Sequence, residues 1–131
     1  MRYLTLAEVL TIAQVVTGIG AETLARASRL ELLDSALHAP QAGFGDEDFY
    51  PEFVDKAAVL VVRIARNHPL PDGNNRLAWQ SLTMFCALNG RDLVVPTDEA
   101  VHTMLKIAAG DLDEAAVATW LPEELSGAAG P

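Results

Sequence analysis

The stretch HPLPDGNNR, His68 to Arg76, puts an imidazole, a carboxylate, a glycine, two amides and a guanidinium within nine residues. These types at this spacing suit the holding of a phosphate beside a base. Gly73, Asn74 and Asn75 stand where a helix begins, and the unpaired backbone N–H groups of a helix N-terminus favour an anion. Gly73 lets the backbone approach closely because it has no side chain. Arg76, one turn in, offers a planar fork of donors to phosphate oxygens, and Asn74 and Asn75 add neutral donors. Asp72 alone would oppose a phosphate. It fits if it holds a divalent metal, since Mg²⁺ is commonly bound through one carboxylate together with substrate oxygens. His68 can take a proton from a hydroxyl, because an imidazole titrates at ~6.5 on its own. The set describes phosphoryl or nucleotidyl transfer to a hydroxyl. The same residues also allow a plain structural reading: a capping histidine before proline, a PDGN turn, Asp72 capping the next helix, and Arg76 paired with a surface acid.

The elements that must position this loop are helices. Thr5 and Glu8 form a capping-box pattern that opens a first helix, with Gly18 as its stop. RLELLDSALHAP carries Leu30, Leu33 and Leu37 at helical spacing and ends at Pro40. QAGFGDEDFYP reads as a loop long enough for a lid or clamp. Pro51 suits the first turn of the next helix, which is apolar almost all round from Phe53 to Ala65 and so belongs in the middle of a bundle. It ends at Asn67-His68, because Pro69 disfavours helical geometry at the residue before it. The next helix starts just after Gly73 and runs to Leu88, where Asn89-Gly90 stops it. DLVVP is a brief extended piece, too short for a sheet. Thr97 caps a helix ending near Gly110, and Asp111 and Glu114 open a last one through about Leu121. The expectation is an all-α bundle of about six helices around one buried helix: a single domain over 1–125 and a frayed tail, SGAAGP, over 126–131.

Composition bounds the partners. The chain has 131 residues, half of them hydrophobic, and a net charge of −9. Such a charge is repelled by a phosphate backbone, which argues against direct nucleic-acid binding. The acids cluster before the loop (Asp46, Glu47, Asp48, Glu52, Asp55) and after it (Asp98, Glu99, Asp111, Asp113, Glu114), as a solvated face or as a dock for a basic segment. The single cysteine, Cys86, excludes an internal disulfide and sits in an apolar helical run, where packing is its expected role. With no signal-like N-terminus and no apolar run of membrane length, a cytoplasmic location is expected. His38, His68 and His102 lie far apart, and no cysteine cluster joins them into a zinc site.

HPLPDGNNR resembles the Fic/Doc signature, His-x-Phe-x-Asp/Glu/Asn-Gly/Ala-Asn-Gly/Lys-Arg. The lead-in LLDSALHAPQAGFGDEDFYPEFVDKAAVLVVRIARNHP and the following RLAWQSLTMFCALNG are similar to the flanks of the motif in the Doc (death-on-curing) branch. The resemblance covers about Leu30 to Gly90. It implies an all-α Fic fold and transfer of a phosphorus group from a nucleotide to a protein hydroxyl. For the Doc branch it implies a toxin of a toxin–antitoxin pair that moves the terminal phosphate of ATP, with Mg²⁺, to a threonine of elongation factor Tu. Carried over by position, His68 is the base, Asp72 the metal ligand, and Gly73, Asn74 and Arg76 the phosphate cradle. The loop around Gly43 to Phe49 is the flap over which the target segment lies. Three positions depart from the pattern. Leu70 replaces the usual aromatic as a core anchor. Trp79 stands where AMP-transferring members have a second arginine, which argues against adenylylation. Asn75 stands where Doc-like toxins carry lysine, so a dipole replaces a full charge at the phosphates. That exchange implies reduced activity or an inactivated variant. AMP transfer and a catalytically silent binding module remain the alternatives.

No convincing match to the self-inhibitory Ser/Thr-x-x-x-Glu-Gly/Asn helix of Fic proteins is present. The nearest, Thr119 to Glu123, is interrupted by Pro122 and followed by Glu124. Restraint is therefore expected from a separate antitoxin whose helical tail docks on the N-terminal helices near Val9, Ile12 and Val16, the same residues being equally suited to ordinary core packing.

Overall fold

The Thr5 hydroxyl accepts a hydrogen bond from the Glu8 backbone N–H at 3.2 Å, and the Glu8 carboxylate accepts from the Thr5 N–H at 2.9 Å. This reciprocal cap opens α1 (Leu6–Thr17), and Gly18 closes it in the left-handed region at φ 72°. In this computed structural model, which describes residues 1–126, the chain continues through α2 (Ala21–Ala27) and α3 (Leu30–His38) into a single 3-10 turn, Ala39–Gln41. Then come α4 (Phe53–Asn67), α5 (Asn74–Leu88), α6 (Thr97–Ala109) and α7 (Glu114–Glu124). The expected all-α bundle is present, with seven helices among the described residues. The one the sequence pattern does not single out is α2, seven residues long and opened by Gly20 without a side-chain cap.

Helix α4 is the axis of the fold. Ten of its fifteen residues are buried, and it packs against α3, α5, α6 and α7. Val59, Val61, Ile64 and Ala65 are fully excluded from solvent. Each large apolar side chain buried this way is worth ~1.5–3 kcal/mol over leaving it exposed. Helix α5 lies beside α4 and also receives α1. Thus the loop joining α4 to α5 is held at both ends by core helices.

Several details differ from the sequence expectation. Within the expected loop before α4, Gly43–Phe44 (β1) and Glu47–Asp48 (β2) pair as a two-residue antiparallel hairpin. A side chain at Gly43 would run into the carbonyl oxygen of Glu47, so glycine permits the close pairing. The extended piece after α5 does enter a sheet, contrary to expectation. Asp92–Leu93 (β3) pairs antiparallel with Leu125–Ser126 (β4), a partner far away in sequence. Ser126 is therefore paired to Asp92, and the rest of the expected tail, 127–131, lies outside the described residues. At α6 the N-cap is Pro96, with Thr97 as first helical residue and no side-chain cap. At α7 the cap is Asp113, whose carboxylate accepts from the Ala116 N–H at 2.8 Å, and the helix runs through Pro122 beyond the expected end at Leu121.

Candidate active site

His68 ends α4 in the left-handed conformation, φ 51°, and is the only non-glycine residue with positive φ among the described residues. That conformation costs an L-residue ~1–2 kcal/mol. Pro69 excludes the helical alternative. The His68 Nδ1 lies 3.0 Å from the Ala65 carbonyl oxygen. A carbonyl can only accept, so Nδ1 carries the proton there, and in the neutral ring Nε2 keeps the lone pair. The local fold thus sets the tautomer a general base needs.

Leu70 is buried, as expected of a core anchor. It is locked by Asn74, whose Oδ1 accepts from the Leu70 N–H at 2.8 Å and whose Nδ2 donates to the Leu70 carbonyl at 2.9 Å. The buried Asn74 amide therefore closes the loop, and what this residue can offer an anion is its backbone N–H. Gly73 caps α5 at φ 78° with no side-chain hydrogen bond to the first turn. The N–H groups of that turn are left for an external acceptor. A Cβ at Gly73 would lie 3.2 Å from Thr17 Cγ2 and 3.3 Å from Arg76 Nη2, so glycine is needed for space as well as for φ.

His68, Pro71 and the run from Asp72 to Arg76 line one pocket of about 280 Å³. All six residues singled out from the sequence, His68, Asp72, Gly73, Asn74, Asn75 and Arg76, face this one cavity. Asp72 and Arg76 are exposed. Among the described residues Asp72 makes no capping bond and Arg76 pairs with no surface acid, so the plain structural reading leaves both unexplained. Among the described residues no three His, Cys, Asp or Glu side chains gather into a metal-holding group. Asp72 by itself fits a Mg²⁺ whose other ligands are phosphate oxygens and water. It does not fit a metal held by protein alone.

A second, larger cavity of about 610 Å³ opens on the other side of Asn75 and Arg76. Val15, Val16, Trp79, Val101, Met104 and Leu105 make its apolar walls. Sequence reasoning located it only in part. Val16 lines it, but Val9 is core with no exposed surface, and Ile12 packs against that core. The walls from α5 and α6 were missed because three separated segments must fold together before the groove exists. Trp79 stacks obliquely on Trp120 with ring centroids 6.3 Å apart. The Asn75 Oδ1 is buried and has no hydrogen-bond partner among the described residues.

Other candidates resolve as structure. Burial pushes the Cys86 thiol up to about 12, which leaves almost no thiolate and makes it packing, as expected. Most of the clustered acids are exposed. Glu114 instead accepts from Arg63 Nε at 2.7 Å, which ties α7 to α4. No helix among the described residues is long and apolar enough to cross a membrane.

The family model described as the Fic/DOC family matches residues 3–86, taking in the whole pocket loop. A protein described as Toxin Doc, from Mycolicibacterium smegmatis (strain ATCC 700084 / mc(2)155), is 41% identical over 92 residues, covering 69% of this chain and 71% of that protein.

Proposed function

The chain belongs to the Fic/DOC family, and from this we propose that it is the toxin of a toxin–antitoxin pair. Its reaction is the transfer of the terminal phosphate of ATP, with Mg²⁺, to a protein hydroxyl, with a threonine of elongation factor Tu as the expected target. The observation that carries this reading is the shared pocket. His68, with Nδ1–H committed to Ala65, lines the same cavity as the uncapped start of α5 and Arg76. The target oxygen bonds to the terminal phosphorus, its proton passes to the free nitrogen of His68, and ADP leaves. Arg76 and the backbone N–H groups of the first turn of α5 hold the phosphate oxygens. Asp72 holds Mg²⁺, which when bound offsets phosphate charge.

The hairpin β1–β2 serves as the flap on which the target segment lies. Restraint comes from a cognate antitoxin whose helical tail fills the apolar groove of Val15, Val16, Trp79, Val101, Met104 and Leu105. Two features favour kinase over AMP-transfer chemistry: Trp79 occupies the position of the second arginine, and it turns into the groove wall.

The test is intact-mass measurement of elongation factor Tu after incubation with Mg·ATP and either this protein or its Asn75→Lys form. A phosphate-sized gain is expected, faster with the Asn75→Lys form by about 10²-fold, as for one positioned transition-state donor. An AMP-sized gain would move the protein to the adenylylating branch. Asn75 in place of the lysine of Doc-like toxins favours one rival, a silent module that binds its partner without modifying it. No gain from either form, with target binding retained, would select that rival.

A further inference from the structure

Lys56 is a charge placed where the core has no use for one. It lies near the N-terminus of α4, where a cation opposes the helix dipole, and only 3% of it is exposed. Burying an ammonium forfeits hydration and rotamer freedom. Replacing a buried ionic group by an apolar one of similar volume is often neutral or stabilising. Fold stability alone does not account for this lysine.

Its contacts do. Nζ donates to the Pro40 carbonyl at 3.0 Å and approaches Asp48 Oδ2 at 3.5 Å. It also sits 5.6 Å from the centroid of the Tyr3 ring. One ammonium thus joins the segment before α1, the 3-10 turn after α3, and strand β2. Among the described residues, its contact with Asp48 is the only side-chain hydrogen bond or ion pair from hairpin residues 43–48 to the helical body. The hairpin has two residues per strand, and so short a ribbon does not hold an orientation by itself. It carries Phe44, 83% exposed, and is followed by Phe49, 61% exposed. Open strand edges beside large apolar side chains suit an added extended segment.

We propose that Lys56 is a positioning residue for the protein substrate: from inside the core it fixes the angle of the hairpin, and through it the docking of the target segment. This rests on the reading of β1–β2 as the target-docking flap. Among the described residues Lys56 makes no hydrogen bond or ion pair with a residue lining the pocket of His68, so its removal should leave nucleotide handling in place.

The experiment uses Lys56→Met, which keeps length and removes the charge, and Asp48→Ala, which alters only the exposed end of the contact. Backbone amide exchange is followed across the whole chain. In both variants exchange over residues 43–49, including the Phe49 N–H bonded to Ala42, should quicken by about tenfold, with α4 and α5 unchanged. In the Asn75→Lys form, the KM for elongation factor Tu should rise by about tenfold while kcat and the KM for ATP hold. Unchanged exchange over 43–49 in either folded variant overturns the proposal. So does faster exchange with an unchanged KM for the protein target, or a fall in kcat alone. Should the parent form modify no target, the phosphotransfer reading fails, and the exchange result by itself decides whether Lys56 holds the hairpin. If Lys56→Met does not fold, Asp48→Ala tests the same contact from its exposed end.

Discussion

At the scale of single residues, the informative feature is that His68 is strained and Asn74 is spent. The left-handed φ of His68 stores ~1–2 kcal/mol in a residue that asparagine could replace more comfortably. Two substitutions separate its roles. His68→Asn should leave unfolding stability near that of the parent, since asparagine tolerates this conformation, yet lower transfer by about 10²–10⁴-fold through loss of the base. His68→Val should lose the same activity and a further ~1–2 kcal/mol of stability, because a β-branched residue resists positive φ. Urea titration and target phosphorylation measure the two effects. Equal stability of the Asn and Val forms would mean that the loop relaxes and no strain is held at this position. The grouping of these residues was legible because they are contiguous: six of them fall between 68 and 76 and reach one pocket through a single turn. The inward amide of Asn74 was not legible. Composition says that an asparagine can donate, and only the fold says to whom.

At the scale of elements, local signals were readable and non-local ones were not. The capping box of α1, the proline that ends α4 and the glycine that opens α5 act within four residues of themselves, so pattern suffices. Helix α2 has no side-chain cap and only Leu24 buried, so nothing local announces it. The β3–β4 pair joins Asp92 to Ser126, a match that exists only after α6 and α7 have packed. Lys56 was passed over inside an apolar run, although a lone lysine among Ala57, Ala58 and Val59 was itself a signal.

The cap of α1 also carries a pH dependence. The Arg2 guanidinium, 2.6 Å away, together with the Thr5 N–H, holds the Glu8 carboxylate at about 2, below its ordinary 4.5. A depressed carboxylate pKa stabilises the fold at pH values above the unfolded-state pKa, and that gain is lost as pH falls through the folded-state pKa. The melting temperature of Glu8→Gln should therefore lie below that of the parent at neutral pH. The gap should close between about pH 4.5 and about pH 2. Thr5→Ala should cost ~1 kcal/mol at every pH, since a hydroxyl cap does not titrate in this range. A gap for Glu8→Gln that persists at pH 2 would mean that the ion pair with Arg2 is not what stabilises this end of α1.

At the scale of the whole molecule, the pocket of His68 and the apolar groove share one wall, Asn75 and Arg76. A segment seated in the groove therefore contacts the side chains proposed to grip the phosphate, and binding there and the proposed transfer would compete for the same two residues. The groove is separable from the core that supports it. Val15 is 79% exposed and Leu105 56% exposed, so Val15→Asp and Leu105→Asp should shift stability by no more than ~0.5 kcal/mol. Leu60→Ala, in buried α4, should cost ~2–5 kcal/mol. Against a helical peptide from the proposed antitoxin, each groove aspartate should weaken binding by at least ~1–2 kcal/mol, roughly tenfold in Kd, by placing a charge against an apolar face. Phosphotransfer by the free toxin should be retained, because neither residue reaches the pocket of His68. Titration calorimetry with the tail peptide, paired with target phosphorylation in its presence, reads both quantities. Unchanged affinity in the two aspartate forms would place the antitoxin on another face. Lost affinity with transfer still blocked by saturating peptide would show that restraint acts through the shared wall, since the weakened ligand still silences the site whenever it is bound.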